Sequence, residues 1–268
     1  MAKKSENGGA LVSMKDLEKM YAQDAKASLE TEPLGGAPII RTRGKKFKID
    51  EQVLKAPLQV VVLGSSLVNA WYDQDYDPDS PGAPACTAIG EVGKENEMAP
   101  ADTVPVKQHA TCRGCPKGQF GTADKGKGKA CRNGRRVAVI GLSDTRPEPQ
   151  AMLLNIPPTG LRKFSAYVKQ IASVADRPLH GVITSFDFDE TQDWPCPVPT
   201  FVRVIDDVAL ATKALKARAQ AVKELLYAPI DTSSYVGPAE AKKGKAKPSD
   251  TPKKGKAKPS DTPKKRKF

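Results

Sequence analysis

Histidine is nearly absent from this chain of 268 residues, which contains only His109 and His180. Histidine is the side chain most often used for general acid–base catalysis, so its scarcity argues against a histidine-dependent nuclease. The sequence also has neither a phosphate-binding Walker loop nor the G-x-S-x-G turn of a hydrolase. We therefore expect a protein without enzymatic activity.

Long apolar runs are missing as well. No stretch approaches the roughly 18 consecutive apolar residues that a membrane-spanning helix needs, so we expect no membrane partner. The first residues, Met-Ala-Lys-Lys-Ser-Glu-Asn-Gly-Gly, lead into no apolar segment of the kind found in secretory signals. We expect a cytoplasmic protein, in which a disulfide framework is a poor explanation for the cysteines.

Most of the chain has little net charge. The total is +12, but residues 242–268 hold twelve basic and two acidic residues, or +10, which leaves +2 for everything before them. Residues 242–252 read KKGKAKPSDTP, and residues 253–263 repeat them residue for residue. Because this segment lacks apolar side chains that could form a core, we expect 231–268 to be a disordered basic tail that binds polyanions without reading sequence.

Cysteine is also rare, yet four of the five cysteines fall within 46 residues. They are Cys86, the C-x-x-C pair Cys112 and Cys115, and Cys131. A C-x-x-C turn directs two thiolates at one point, and four thiolates form the closed tetrahedral site of a structural zinc ion. The spacing therefore predicts a Zn²⁺ site with a structural role.

Two alternatives at this site stay open. An iron–sulfur cluster uses the same four ligands, and His109, three residues before Cys112, can replace Cys86 as the fourth ligand. The fifth cysteine, Cys196, has no partner at metal-site spacing, and we predict that it is a small buried side chain.

The cysteine-rich segment divides into an acidic and a basic half. Residues 73–102 hold eight acidic residues and one lysine, or −7, whereas residues 107–136 hold nine basic residues and one acidic residue, or +8. The basic half contains a lysine comb, Lys125, Lys127 and Lys129, in which single glycines separate the lysines. A flexible row of cations of this kind suits contact with phosphates.

A protein that coats single-stranded nucleic acid needs cations for the backbone and aromatic rings for the bases. We hypothesise one mixed groove, in which the lysine comb and Arg132 approach the aromatic cluster around Trp71. Core packing is the alternative role for Trp71, and a solvated face is the alternative for 41–48. The candidate residues are Arg41, Arg43, Lys45, Lys46, Phe47, Trp71, Tyr72, Tyr76, Phe120, Lys125, Lys127, Lys129, Arg132, Arg135 and Arg136.

Hydrophobic periodicity predicts a mainly β, α+β fold. We predict an OB-like barrel with an inserted four-cysteine zinc lobe and a C-terminal helix, and a split α+β sandwich is the alternative. The predicted organisation is an N-terminal arm and short helix (1–30), a core (31–230) with the zinc lobe at about 65–135, and the tail (231–268). Strands are predicted at 38–50 (two strands, or one bent at Gly44), 58–63, 136–142, 151–156, 181–189 and 199–205; helices are predicted at about 14–27, about 158–174 and 206–226.

Four motifs resemble a largely uncharacterised family of tailed-bacteriophage proteins found among replication genes. They are W-Y-D-x-x-Y-D-P-D before Cys86, C-x-x-C-P-x-x-Q-F-G from Cys112, G-K-G-K-A-C-x-x-x-R-R-x-A-V ending at Val139, and I-P-P-x-x-L-x-x-F-x-x-Y from Ile156. The resemblance covers roughly residues 38–204. It extends more distantly to the zinc-containing single-stranded DNA-binding proteins of large phages.

That resemblance implies a single-stranded DNA-binding protein that supports phage DNA replication or recombination inside the infected cell, with phage replication proteins as further partners. The zinc-containing single-stranded DNA-binding proteins of large phages usually end in an acidic tail, whereas this chain ends in a basic one.

Two other function classes are consistent with the residues. One is a zinc-stabilised cofactor of a replication or transcription complex, and the other is a metal-dependent nuclease using Asp187, Asp189 and Glu190.

Overall fold

The computed structural model describes residues 13–31, 38–74, 82–124, 126–144, 146 and 149–230. Tyr76, Lys125, the predicted basic tail and most of the predicted N-terminal arm lie outside the described residues. Among the helices of the described part, none has the length and apolarity needed to cross a lipid bilayer. The elements are strands β1 Ile39–Ile40, β2 Lys48–Ile49, β3 Gln52–Val53, β4 Leu58–Trp71, β5 Cys86–Gly90, β6 Arg132–Gly141, β7 Met152–Ile156, β8 Val182–Phe188 and β9 Pro197–Val204, and helices α1 Met14–Thr31, α2 Leu161–Gln170 and α3 Val208–Glu224.

The protein has a mixed α+β fold built on one seven-stranded sheet. The strand order is β1-β7-β6-β4-β8-β9, with β5 pairing with β4, while β2 and β3 form a separate two-stranded sheet. Strands β1 and β9 lie at opposite ends of this order, and within the described ranges they do not pair with each other. The predicted α+β class is confirmed. Closure of the sheet into an OB-like barrel is not confirmed.

Strand β4 connects the core to residues 86–132, which contain Cys86, Cys112, Cys115 and Cys131 and which we call the cysteine-bearing region. One edge of β4 pairs with β6 from Val60 to Ala70. The other edge pairs with β8 at residues 58–60 and with β5 at residues 67–71. We call residues 67–71, 86–90 and 132–136, which are paired ends of β4, β5 and β6, the ribbon; Cys86 is the first residue of its β5 segment, and Cys131 directly precedes its β6 segment.

The two faces of the sheet pack on different helices. Alternate residues of the buried strands point to opposite faces, so Val60 and Val62 join Phe164 of α2 in one core. Val61 and Leu63 join α3 in a second core, where the small buried side chains Ala214, Ala217 and Ala221 let the helix lie close to the sheet. The core of the protein is therefore two apolar layers, one on each side of β4 and β6.

Most of the predicted elements are confirmed. Gly44 has φ +66° within a short 3-10 turn between β1 and β2, so the chain forms two strands and not one bent strand. At the start of α1 the Asp16 N–H donates to Ser13 Oγ at 3.2 Å, which is the bond that an N-cap serine makes, and Ser13 Oγ donates to the Asp16 carboxylate at 2.6 Å. Helix α1 continues to Thr31, and β4 continues to Trp71, well past the predicted end at 63.

Candidate metal and nucleic-acid site

The ribbon positions two of the four cysteines. Cys86 begins β5 and pairs with Trp71 of β4. Cys131 directly precedes β6, whose first residue, Arg132, pairs with Ala70. Since residues that pair across strands share a face, the register places Cys86, Trp71 and Cys131 on one face of the ribbon.

Backbone hydrogen bonds bring the C-x-x-C pair to the same place. The Cys112 N–H donates to the Met98 carbonyl at 2.8 Å, and the Cys115 N–H closes the turn by donating to the Cys112 carbonyl at 3.3 Å. The Cys131 N–H donates to the Lys117 carbonyl at 2.8 Å. The turn from Cys112 to Cys115, which we call the knuckle, is therefore hydrogen-bonded to the start of β6, although 15 residues separate Cys115 from Cys131 in the sequence.

All four cysteines line one cavity of about 490 Å³, together with Asn69, Trp71, Lys117, Lys129 and Asn133. His109 lies outside this lining. Its Nδ1 atom accepts a hydrogen bond from the Thr111 N–H at 3.2 Å. The geometry therefore favours Cys86 over His109 as the fourth candidate ligand.

Burial and the neighbouring cysteines both affect the pKa values of the cysteine thiols. Burial raises the pKa of Cys86, and Cys115 raises it further. Burial also raises the pKa of Cys131, to about 12, and Cys112, Cys115 and Cys86 contribute to that shift. Because each charged thiolate would repel the others, the cluster needs a cation to hold several thiolates at once.

Within the described residues, no group of three or more histidine, cysteine or carboxylate side chains is arranged so that it can hold a metal ion. The four thiols surround a common cavity without converging on one point, so coordination requires them to turn inward. Their number and type match the closed four-thiolate set of structural zinc. The zinc site stays a prediction, and so does its iron–sulfur alternative.

Three cations lie over three aromatic rings in this part of the protein. Lys117, Trp71 and Lys129 line the cavity, whereas Arg132 pairs with Ala70 and so lies on the opposite face of the ribbon from Trp71 and Cys131. Lys117 Nζ is 4.7 Å from the Trp71 ring centroid, and Lys129 Nζ is 4.8 Å from that of Phe120. The Arg132 guanidinium carbon is 5.5 Å from the Tyr72 centroid. We call these the three cation–ring pairs. Phe120 is 80% exposed and Tyr72 38%, whereas Trp71 is half-buried, so at least two rings have surface available to a ligand.

Lys127 and Lys129 of the lysine comb belong to a closed turn. The Gly121 N–H donates to the Gly128 carbonyl at 2.8 Å, and Thr122 Oγ1 accepts from the Ala130 N–H at 3.0 Å. Gly121 has φ +84°, a conformation that favours glycine. Lys127 is exposed at the tip of this turn, while Lys129 is half-buried and points toward the ribbon through its hydrogen bond to Asn133.

Two predicted nucleic-acid contacts need correction. Phe47 is fully buried and stacks on Phe188 with ring centroids 4.4 Å apart, so it belongs to the core and cannot reach a base. Arg136 is only 7% exposed, and its guanidinium donates to the carbonyls of Leu225 and Ala228 at 3.1 and 2.6 Å. It therefore fixes the end of α3 against the sheet.

The other basic candidates occupy different surfaces. Arg135 is half-buried, with its guanidinium carbon 5.4 Å from the Phe164 ring centroid, so it packs on α2. Arg41, Arg43 and Lys46 are exposed and Lys45 is half-buried. These four follow β1, which lies at the opposite end of the sheet order from β9 and pairs with β7. Only Lys127, Lys129 and Arg132, among the described basic candidates, belong to the cysteine-bearing region.

Sequence reasoning missed Lys117, Asn69 and Asn133. Asn133 Nδ2 donates to Asn69 Oδ1 at 2.6 Å, and Lys129 Nζ donates to Asn133 Oδ1 at 3.2 Å. Burial raises the pKa of Cys112, and the neighbouring Asn69 side chain opposes this shift. The signal that could have found Asn69 is its alternation with Trp71, two residues further along β4.

The carboxylates of the nuclease alternative are engaged locally. Asp189 forms an ion pair with Lys163 and accepts hydrogen bonds from Thr191 Oγ1 at 2.6 Å and Thr191 N–H at 3.1 Å. The Lys163 hydrogen bond is the main cause that lowers the pKa of Asp189 to about 2. Asp187 accepts a hydrogen bond from the Phe188 N–H at 2.8 Å. These contacts are those of a surface turn.

Comparison with known proteins finds no protein-family model, no curated protein and no solved structure that matches this chain. The resemblance to phage proteins therefore rests on the sequence motifs alone.

Proposed function

We propose that this protein binds single-stranded DNA without catalysing a reaction, and that it supports phage DNA replication or recombination. The observation that carries the proposal is the set of three cation–ring pairs near the cysteines, two of which contribute residues to the lining of the cysteine cavity. Each pair combines the two groups that a nucleotide needs, a positive charge for the phosphate and a flat ring for the base. The Lys117–Trp71 and Lys129–Phe120 pairs offer a surface for a short stretch of strand, because Lys117, Trp71 and Lys129 line the same cavity.

Single strands are favoured over duplex because of the rings. A base can stack on Phe120 or Tyr72 only when it is not already stacked between its neighbours in a duplex. Cations alone would hold single and double strands through their phosphates with little discrimination. Exposed rings beside cations therefore support a preference that charge by itself does not supply.

The proposal includes a structural zinc ion held by Cys86, Cys112, Cys115 and Cys131. In this protein the ion would join the knuckle to the ribbon and so hold the aromatic residues near the cations. We also propose that the sheet is related to the OB-like barrels. The support is β4, a long strand with a register shift between Val62 and Gly64 that pairs with three different partners.

A binding comparison tests the function. Fluorescence anisotropy is measured for labelled oligo-dT, duplex DNA and RNA of equal length, using the full chain and a chain that ends at residue 230. We expect both proteins to prefer oligo-dT, with the full chain binding more tightly and with a steeper dependence on salt. The tail adds cations that bind phosphates, so its removal should flatten the salt slope by about 0.7 for each phosphate that the shorter chain no longer neutralises.

Two outcomes would contradict the proposal. Equal affinity of the truncated chain for single-stranded and duplex DNA would remove the role of the rings. No binding by the truncated chain at low salt would favour the alternative of a zinc-stabilised cofactor that meets nucleic acid only through its tail.

A further inference from the structure

A dense group of positive charges lies outside the cysteine-bearing region, between β1 and β2. Five of the eight residues from 41 to 48 are basic and none is acidic. They are Arg41, Arg43, Lys45, Lys46 and Lys48. We call residues 41–48 the basic loop. None of its residues lines the cysteine cavity, so it is separate from the surface to which the proposed function assigns the single strand.

The basic loop is closed and anchored. The Arg41 N–H donates to the Lys48 carbonyl at 2.7 Å, and the Lys48 N–H donates to the Arg41 carbonyl at 2.8 Å. Phe47 is fully buried and stacks on Phe188, and its carbonyl accepts from the Leu54 N–H at 2.8 Å. The cations are therefore held on a backbone that is fixed to the core.

Two successive residues of the basic loop have left-handed backbone conformations. Gly44 has φ +66° and Lys45 has φ +54°. Glycine adopts this conformation readily, whereas the Cβ atom of a lysine disfavours it. Non-glycine residues held in such conformations cluster at binding sites, where the surrounding structure maintains them.

The charges of the basic loop are not neutralised by carboxylates. Within the described ranges, no ion pair involves Arg41, Lys45, Lys46 or Lys48. Asp50 and Glu51, the next acidic residues along the chain, form none either. Like charges on one closed loop repel one another, and a bound polyanion relieves that repulsion while it releases its own counterions.

The basic loop offers cations without a ring. Its one aromatic side chain, Phe47, lies in the core, so a phosphate can bind at the loop but a base cannot stack there. A site of this kind holds single and double strands through their phosphates with little discrimination. It differs in this respect from the exposed ring of Phe120 beside Lys129.

We propose that the basic loop is a second DNA site, which holds the phosphate backbone of single-stranded and duplex DNA alike. The rings near the cysteines then select the single strand, and the loop adds affinity that does not depend on strandedness. This inference rests on the proposed function, because it takes DNA as the partner.

The test uses the full chain and the double variant Arg41→Gln/Lys46→Gln. Both side chains are exposed, so the variant should keep the wild-type free energy of unfolding in urea or exceed it. Anisotropy titrations with labelled oligo-dT and labelled duplex are repeated at several salt concentrations. We expect the salt slope to fall by about 1.8 with duplex and by about 1.4 with oligo-dT, which is the loss of two phosphate contacts in each case.

Two matched variants separate position from charge. Lys216→Gln/Lys223→Gln removes the same charge from exposed sites on α3 that are about 10 Å apart along the helix, and it should leave both slopes nearly unchanged. Arg41→Lys/Lys46→Arg keeps the charge of the basic loop and should keep the wild-type slopes. Equal falls in the loop variant and the α3 variant would show an effect of net charge alone and would overturn the proposal.

The failure of this inference differs from the failure of the proposed function. If Phe120→Ala weakens oligo-dT binding but Arg41→Gln/Lys46→Gln keeps the wild-type slopes, the basic loop is not a DNA site and the proposed function stands. If the loop variant lowers both slopes but the wild-type chain shows no preference for oligo-dT over duplex, the proposed function is wrong and the basic loop remains a DNA site.

Discussion

Lys117 lies directly over Trp71, with its Nζ atom 4.7 Å from the ring centroid, and the Lys117 carbonyl accepts the hydrogen bond from the Cys131 N–H. One residue thus joins the knuckle, the start of β6 and the aromatic ring of β4. A cation this close to an indole face is attracted by about 0.5–1 kcal/mol at an exposed site. The position of Trp71 relative to the cations is therefore set by the backbone around the cysteines.

Tryptophan fluorescence should report DNA binding at Trp71. A base that stacks on the indole should quench its emission when oligo-dT is added, and Trp71→Ala should cost about 1–3 kcal/mol of binding free energy. The measurement is made in a Trp194→Phe background, because Trp194 is 48% exposed and would contribute its own emission. Unchanged emission at saturating oligo-dT, with wild-type affinity of Trp71→Ala, would make Trp71 a packing residue only.

Phe120 should contribute to DNA affinity without contributing to stability. Its ring is 80% exposed, so Phe120→Ala should leave the free energy of unfolding nearly unchanged while weakening oligo-dT binding by about 1–3 kcal/mol. Phe201→Ala is the matched control, since Phe201 is an exposed phenylalanine on β9, away from the ribbon. Equal losses in the two variants would show that the effect is not specific to the cysteine-bearing region.

The purified protein should contain about one zinc ion per chain. Cys112→Ser should release it and unfold the cysteine-bearing region, because the binding free energy of a structural zinc is also folding free energy. Cys196→Ser should keep the zinc, since Cys196 is buried beside Gly160 in the core, as the sequence predicted. Elemental analysis gives the stoichiometry, and iron with a visible charge-transfer band would select the iron–sulfur alternative.

Two arginines of β6 should behave in opposite ways. Arg136→Met leaves the Leu225 and Ala228 carbonyls without their donor, so it should lower the free energy of unfolding by about 1–3 kcal/mol and leave the salt slope unchanged. Arg132→Met changes an exposed side chain, so it should leave stability intact and lower the slope by about 0.7. Urea denaturation and salt titration of oligo-dT binding separate the two. A lower salt slope in Arg136→Met would show that Arg136 contacts DNA.

Acid should remove one stabilising contribution at Asp144. Hydrogen bonds from Arg146 lower the pKa of this carboxyl to about 2. A depressed pKa in the folded state means that the contribution is present above the unfolded pKa of about 3.9 and is lost as the pH falls toward 2. Asp144→Asn should flatten the decline in urea stability between pH 4 and pH 2, by about 1 kcal/mol after screening. The same decline in Asp144→Asn as in the wild-type protein would contradict a stabilising role of the Asp144 carboxylate.

The local elements could be read from the sequence because their signals are short-range. Short apolar runs identified the buried parts of β4 and β6 and strand β7, and alternation identified β8. The helical period identified α2 and α3, and the spacing of Cys112 and Cys115 identified the knuckle. Gly44 marked the break between β1 and β2, where only a positive φ lets the chain turn. Each of these depends on neighbours within a few residues.

Tertiary structure decided which of the candidate residues share a surface. The sequence alone placed Phe47 and Arg136 with the nucleic-acid candidates, since an aromatic ring among cations and an arginine beside another arginine look alike whether buried or exposed. Packing against Phe188 and the end of α3 buries both. The extension of β4 to Trp71 was also missed, because half-buried residues weaken the alternation there, and that extension brings Asn69, Asn133 and Lys129 into line. The pairing of β4 with β6 brings Asn69 and Asn133 into contact, and no local pattern records such pairing between distant parts of the chain.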